Sequence, residues 1–236
     1  TITAGNLCAF AMEASFMGKI TEKISYGDPD AAAGLLRDIV ARQGVGEALS
    51  KGIRHAAKAW DMEDVAIHVK GMEPAGYEPR ILKGMGLAYA TSPRGACHVR
   101  STFYKAELSG MIDKDQVEGK AELFIDFEER LALQDMLIVC RFYRDLYMWD
   151  EFSEIIEATT GMKMDKPYLK KTASYVIDLT RRFNIREGVT KKDDTLPSRF
   201  FDEPLGKEKK VLRREDFNRM LADYYRLRGW SEQGVP

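Results

Sequence analysis

Apolar residues recur along this chain at helical spacing almost throughout. Leu7, Phe10, Ala11, Ala14 and Met17 form one stripe at three- and four-residue intervals. Asp28-Pro29-Asp30 is a helix start, with Asp28 as N-cap and Pro29 at the first helical position, where its missing N–H is no loss. The following helix carries Leu35, Leu36, Ile39 and Val40 on one face and stops near Gly44. The next begins around Gly46 and presents Leu49, Ile53, Ala56, Ala57 and Trp60. From Met62 to Arg80 the pattern is broken by Gly71, Pro74, Gly76 and Pro79, which predicts a boundary near Lys70 and two units, 1–69 and 70–236.

The second unit opens with a glycine-rich helix and loop, Ile81 to Gly95. Helices are predicted from about Tyr104 to Met111, Ala121 to Tyr143, and Trp149 to Thr160 with a stop at Gly161. Within the second of these, Leu131 to Phe142 reads as buried. Asp165-Lys166-Pro167 starts another helix that turns Leu169, Val176, Thr180 and Phe183 inward. Residues 184–210 are irregular, charged and proline-containing, as expected of a surface segment that wraps other elements or serves function. A last helix, about Arg214 to Arg228, ends at Gly229. Strand alternation is weak and no repeat is present, so the predicted fold class is all-α, in two helical domains.

Composition changes this picture in three places. Lys+Arg 36 against Asp+Glu 37 leaves a net charge of -1, so nothing global points to nucleic acid. No apolar run approaches the ~20 residues that a membrane span requires, and no signal peptide is visible. Cys8, Cys97 and Cys140 are scattered and odd in number, which argues against a disulfide framework or a zinc site and makes a reducing, cytoplasmic setting the expectation. The chain opens at Thr1 with no initiator methionine, as a fragment or processed product would.

Three segments could carry chemistry. In Gly84 to Arg100, small residues permit close backbone approach, and the turn Ser92-Pro93-Arg94-Gly95 delivers His98 and Arg100 to one side. Histidine suits proton transfer near neutral pH, and arginine suits bidentate binding of polar groups; a helix end with a satisfied histidine is the plainer reading. Leu131 to Phe142 sets Asp135 in an apolar run five residues before Cys140. A buried acid there needs partners, and the cysteine is either a thiolate ligand or a small buried hydrophobe. Arg182 to Pro197 crowds charges of both signs, in the manner of a salt-bridged surface loop.

Five ordered motifs together resemble the tungsten-containing aldehyde:ferredoxin oxidoreductase family. They are GMGLAYATSPRGACHVR (84–100), DMLIVC (135–140), FNIREG (183–188), KDDTLPSRF (192–200) and YYRLRGW (224–230). The resemblance runs end to end over the family's two C-terminal helical domains. It implies that an N-terminal β-rich domain carrying a tungsten or molybdenum bis-pterin cofactor and three cluster cysteines lies outside this chain. Cys140 then matches the fourth ligand of a [4Fe-4S] cluster. Asp135 matches the acid that hydrogen-bonds the pterin, with Val139, Arg141 and Arg100 against it. His98 matches a histidine near the metal, a proton donor or acceptor. The family pattern has glycine where Ile138 stands, and a branched side chain there crowds the pterin or shifts the backbone. Cys97 reads as structural or pocket-lining, Cys8 as a buried helix residue, and His55 and His68 as ordinary helix or loop residues.

The function so implied is oxidation of a small aldehyde to a carboxylic acid, with ferredoxin accepting the electrons and a homodimer left open. The alternatives are a tungsten-dependent aromatic acyl-CoA reductase and a non-catalytic helical module. With one of four cluster ligands, the chain alone is expected to be colourless and inactive.

Overall fold

The computed structural model describes residues 2–236; Thr1 and the reading of the chain's start lie outside the described residues. The fold is all-α. Among the described residues, pairing of extended backbone is confined to two isolated bridges, Val69 with Met72 and Leu205 with Lys210.

Helix α1 (Ile2–Phe16) leads the chain. Helix α2 (Pro29–Ala41) starts as its sequence dictates, the Asp28 carboxylate accepting the Ala31 N–H at 2.9 Å. The single helix expected from Gly46 to Trp60 is two, α3 (Val45–Ser50) and α4 (Ile53–Ala59). They part at Gly52, whose φ of +91° turns the chain so that Leu49 and Ile53 enter one core. That core holds Leu7, Phe10, Leu35, Leu49, Ile53 and Met62, with Phe10 stacked on Trp60 at 5.5 Å.

From Val69 onward a second, larger core takes over. Helix α5 (Lys83–Thr91) is buried on every side, and Met85, Leu87, Tyr89 and Ala90 are each 0% exposed. Its first N–H groups, on Gly84 and Met85, are taken by the Glu107 carboxylate at 2.8 and 3.2 Å. Glu107 lies on the short helix α6 (Tyr104–Leu108) and is paired at 2.6 Å with Lys120, the first residue of α7 (Lys120–Met136); both side chains are fully buried. Phe103 meets Phe124 and Phe127 edge-on, each at 5.6 Å. Helix α11 (Arg214–Arg228) closes this core, and Arg228 sits between Glu128 and Glu129 of α7 at 2.5 and 2.9 Å.

Helix α8 (Trp149–Thr160) and helix α9 (Lys166–Arg186) pack a third, small cluster of Leu133, Trp149, Phe152, Ile156 and Leu169. Phe183, expected inward, is 53% exposed and lines an open cleft instead. Residues 184–210 are expected to be an irregular segment that wraps other elements or serves function. The first three close α9; the rest wrap the second core, with a short turn (Lys191–Asp193) and helix α10 (Arg199–Asp202), and bury Asp194, Leu196, Phe200 and Phe201. Arg199 of α10 pairs with Glu13 of α1 at 2.7 Å, a link between residues distant in sequence.

Candidate cofactor-binding site

The segment after α7 departs most from sequence expectation. The helix was expected to continue to Tyr143, buried to Phe142. It stops at Met136, and Met136, Leu137, Ile138, Phe142 and Tyr143 are exposed, Ile138 at 92%. The stop is a Schellman motif: the Val139 N–H bonds the Gln134 carbonyl at 2.9 Å and the Ile138 N–H bonds that of Asp135 at 3.2 Å. Ile138 occupies the left-handed position of that motif with φ +57°, where glycine is the usual residue because it has no Cβ to clash. A glycine at this position would have a backbone cause, and Ile138 accepts that backbone against its own preference. Val139 is half-buried against the cluster of Leu133, Trp149, Phe152, Ile156 and Leu169, the kind of apolar contact that accompanies this motif.

This reversal sets three charged side chains together. The Asp135 carboxylate receives Arg100 at 2.5 Å and Arg141 at 2.6 Å, both on Oδ2. Among the described residues, no donor hydrogen-bonds Oδ1. Asp135 is 42% exposed, so the acid is not buried as an apolar run implied; it is a partly solvated carboxylate clamped by two guanidinia. Arg141 is anchored to the Leu131 carbonyl at 2.6 Å, and burial lowers its pKa, an effect opposed by Asp135.

Cys140 is exposed, whereas Cys8 and Cys97 are buried. With Val139, Tyr143 and Phe152 it lines an apolar groove of about 620 Å³. A separate cleft of about 530 Å³ between α7 and α9 is lined by Asp135, Arg100, Arg94, Ile177, Phe183 and Trp230. His98 lies outside both groups of lining residues. It is half-buried with its ring 5.7 Å from Tyr77, which stacks on Tyr104 at 3.9 Å. Burial, and then the charge of Arg94, hold its pKa below 6.5, so the imidazole is neutral at neutral pH. The structure thus joins Arg100, Asp135 and Arg141 directly, puts Val139 and Cys140 on the adjoining surface, and holds His98 apart from both cavities.

The donor set fits part of a pterin and iron–sulfur centre. An accessible thiol is available for a cluster, and a carboxylate oxygen is free to accept N–H groups. No group of three or more His, Cys, Asp or Glu able to hold a metal ion occurs among the described residues. Three buried networks join residues distant in sequence: Glu107 with Lys120; Asp194 with Lys70, Arg181 and Tyr225; and Glu128 and Glu129 with Arg228. Their partners lie 13 to 124 residues apart, and no local pattern signals them.

Residues 1–236 match the family described as aldehyde ferredoxin oxidoreductase, domains 2 & 3. The chain is 29% identical to the tungsten-containing aldehyde ferredoxin oxidoreductase of Pyrococcus furiosus over 99% of its own length and 41% of that protein. The corresponding Thermococcus kodakarensis protein gives the same identity and coverage. Identity is 27% to the P. furiosus aliphatic sulfonate oxidoreductase, WOR-like subunit, covering 38% of it. In structure the chain resembles the active-site complex BamBC of benzoyl coenzyme A reductase, with TM-score 0.76, 21% identity, and 100% of this chain covering 42% of that one. The chain spans about two fifths of the length of these relatives, and it belongs to the aldehyde ferredoxin oxidoreductase family as that family's domains 2 and 3.

Proposed function

We propose that this chain is the helical part of a tungsten- or molybdenum-pterin oxidoreductase that converts aldehydes to carboxylic acids and passes electrons to ferredoxin. The observation that carries the reading is the Asp135 carboxylate, held by Arg100 and Arg141 beside the exposed thiol of Cys140. When bound, the metal–pterin group and a [4Fe-4S] cluster would supply the redox chemistry. Asp135 would accept pterin N–H groups through Oδ1, while its two arginines hold the carboxylate in place. Val139, Arg141 and Arg100 would border the ring system, and Cys140 would give the cluster one thiolate. His98, neutral and half-buried, would take or give a proton at the substrate. Two domains, 1–69 and 70–236, are supported by the change of core between Ala66 and Val69.

The exposed apolar run from Met136 to Leu146 supports an N-terminal pterin-binding domain covering this face. Elemental analysis of the full-length gene product, purified without oxygen, tests the reading. Tungsten or molybdenum together with iron, and acid formation from a panel of small aldehydes, are expected. A folded, metal-free full-length protein refutes it. Loss of most activity in a loaded His98→Asn enzyme is expected, and full activity sinks the role given to His98.

A further inference from the structure

A cluster of buried charges meets where residues 1–69 pass into 70–236. Val69 and Met72 exchange backbone hydrogen bonds at 3.0 Å in both directions, closing a tight reversal with Lys70 and Gly71 at its tip. Lys70 adopts φ +51°, an uncommon conformation for a residue with a side chain. Its side chain is only 8% exposed. The ammonium pairs with Asp194 at 2.9 Å and donates to the carbonyl of Ala90. Asp194, 1% exposed in its side chain, also receives Arg181 at 2.6 Å and the Tyr225 hydroxyl at 2.5 Å.

The same reversal touches the turn that follows α5 at a second point. A Cβ at Gly95, whose φ is +105°, would fall 2.3 Å from the Val69 carbonyl oxygen, so only glycine permits this approach. Ala90 lies just before the turn and Gly95 lies within it, three residues ahead of His98. Hence the segment leading into His98 is held against one reversal at two points, Ala90 and Gly95.

We propose that Lys70 is a positioning residue: by gripping the Ala90 carbonyl from an anchor on Asp194, it fixes where the turn 91–98 presents His98. The proposal rests on the reading of His98 as a proton-handling group. An ammonium taken from water carries a large desolvation cost, and an apolar side chain of similar volume often serves stability as well or better. A buried, strained lysine at this junction is therefore explained by the geometry it imposes. A small displacement of a reacting group costs rate far more than it costs stability.

The test uses the full-length protein purified anaerobically, with Lys70→Met compared against wild type. The expected result is unchanged metal and iron content, amide exchange over residues 90–98 faster by about tenfold or more, and unchanged exchange in α7 (120–136). Aldehyde oxidation should show kcat lowered roughly tenfold with KM kept, and Lys70→Met/His98→Asn should be no slower than His98→Asn alone. A folded, loaded Lys70→Met protein with wild-type exchange over 90–98 overturns the proposal. So does a rise in exchange spread evenly over both units, or a double variant whose losses multiply. Should Lys70→Met fail to fold, Asp194→Asn removes the anchor while keeping its shape, and the same local exchange result is required. Full activity in His98→Asn refutes the role of His98 only; the exchange result then still decides whether Lys70 holds the turn.

Discussion

Replacing Ile138 by glycine should stabilise this protein. A side chain in the left-handed region costs roughly 1–2 kcal/mol through the clash of Cβ with the following carbonyl, with branched residues at the upper end. Ile138 holds φ +57° and is 92% exposed, so its removal forfeits almost no buried apolar area. Glycine gives back part of the gain, about 0.5–1 kcal/mol, through the greater entropy of its unfolded chain. The net is about 1 kcal/mol in favour of Ile138→Gly, or an increase of roughly 2–4 °C in Tm for a chain of this size. Both motif hydrogen bonds, Val139 N–H to Gln134 and Ile138 N–H to Asp135, are backbone bonds and survive the change. The assay is thermal and urea unfolding of the wild type, Ile138→Gly and Ile138→Ala. Alanine keeps the Cβ and should recover only the part due to branching. Val40→Gly serves as the control: Val40 is 85% exposed within α2, so the same change there should lose about 0.5 kcal/mol. A Tm that falls in Ile138→Gly, or an equal gain in alanine and glycine variants, refutes the assignment of strain to this position.

Other consequences are open to measurement. Lys120→Met strands Glu107 in the core and should cost about 3–5 kcal/mol in urea unfolding. Burial already raises the Glu107 pKa, and a raised carboxylate favours the fold below its unfolded pKa and loses that contribution as pH rises through the folded one, so the defect should be milder at pH 5 than at pH 8. His68 and His98 both have pKa values depressed below 6.5, chiefly by burial. The unfolded chain takes up their protons first, so stability should decline as pH falls from 6.5 through the folded values; a urea midpoint flat across that window, or the same decline in His68→Gln/His98→Gln, contradicts this. Native alkylation of the isolated chain should modify Cys140 quickly and Cys8 and Cys97 slowly; equal labelling of all three would contradict the burial pattern. In the metal-loaded full-length protein Cys140 should become protected, which reports its ligation without recourse to activity.

What the sequence determined by itself is local in origin. The 3.6-residue period and the Asp28-Pro29 and Asp165-Lys166-Pro167 starts fixed the helices, because the N-cap bonds span only three residues: Asp165 accepts the Tyr168 N–H at 3.0 Å, as Asp28 accepts that of Ala31. The motifs around Asp135 and Cys140 were legible as an ordered series, enough to name the family. The end of α7 was not legible, since Leu137-Ile138-Val139 reads as a buried helical run and carries no glycine to announce the stop. Tertiary structure decided it: Val139 packs on the cluster around Phe152 and Leu169, Arg141 reaches back to the Leu131 carbonyl, and together they outweigh the local cost of turning at Ile138. It also decided that Asp135 is shared by Arg100 and Arg141 and that Asp194 is buried with Lys70. A charge is tolerated away from water only where partners distant in sequence converge on it, and that convergence is a property of the packed chain.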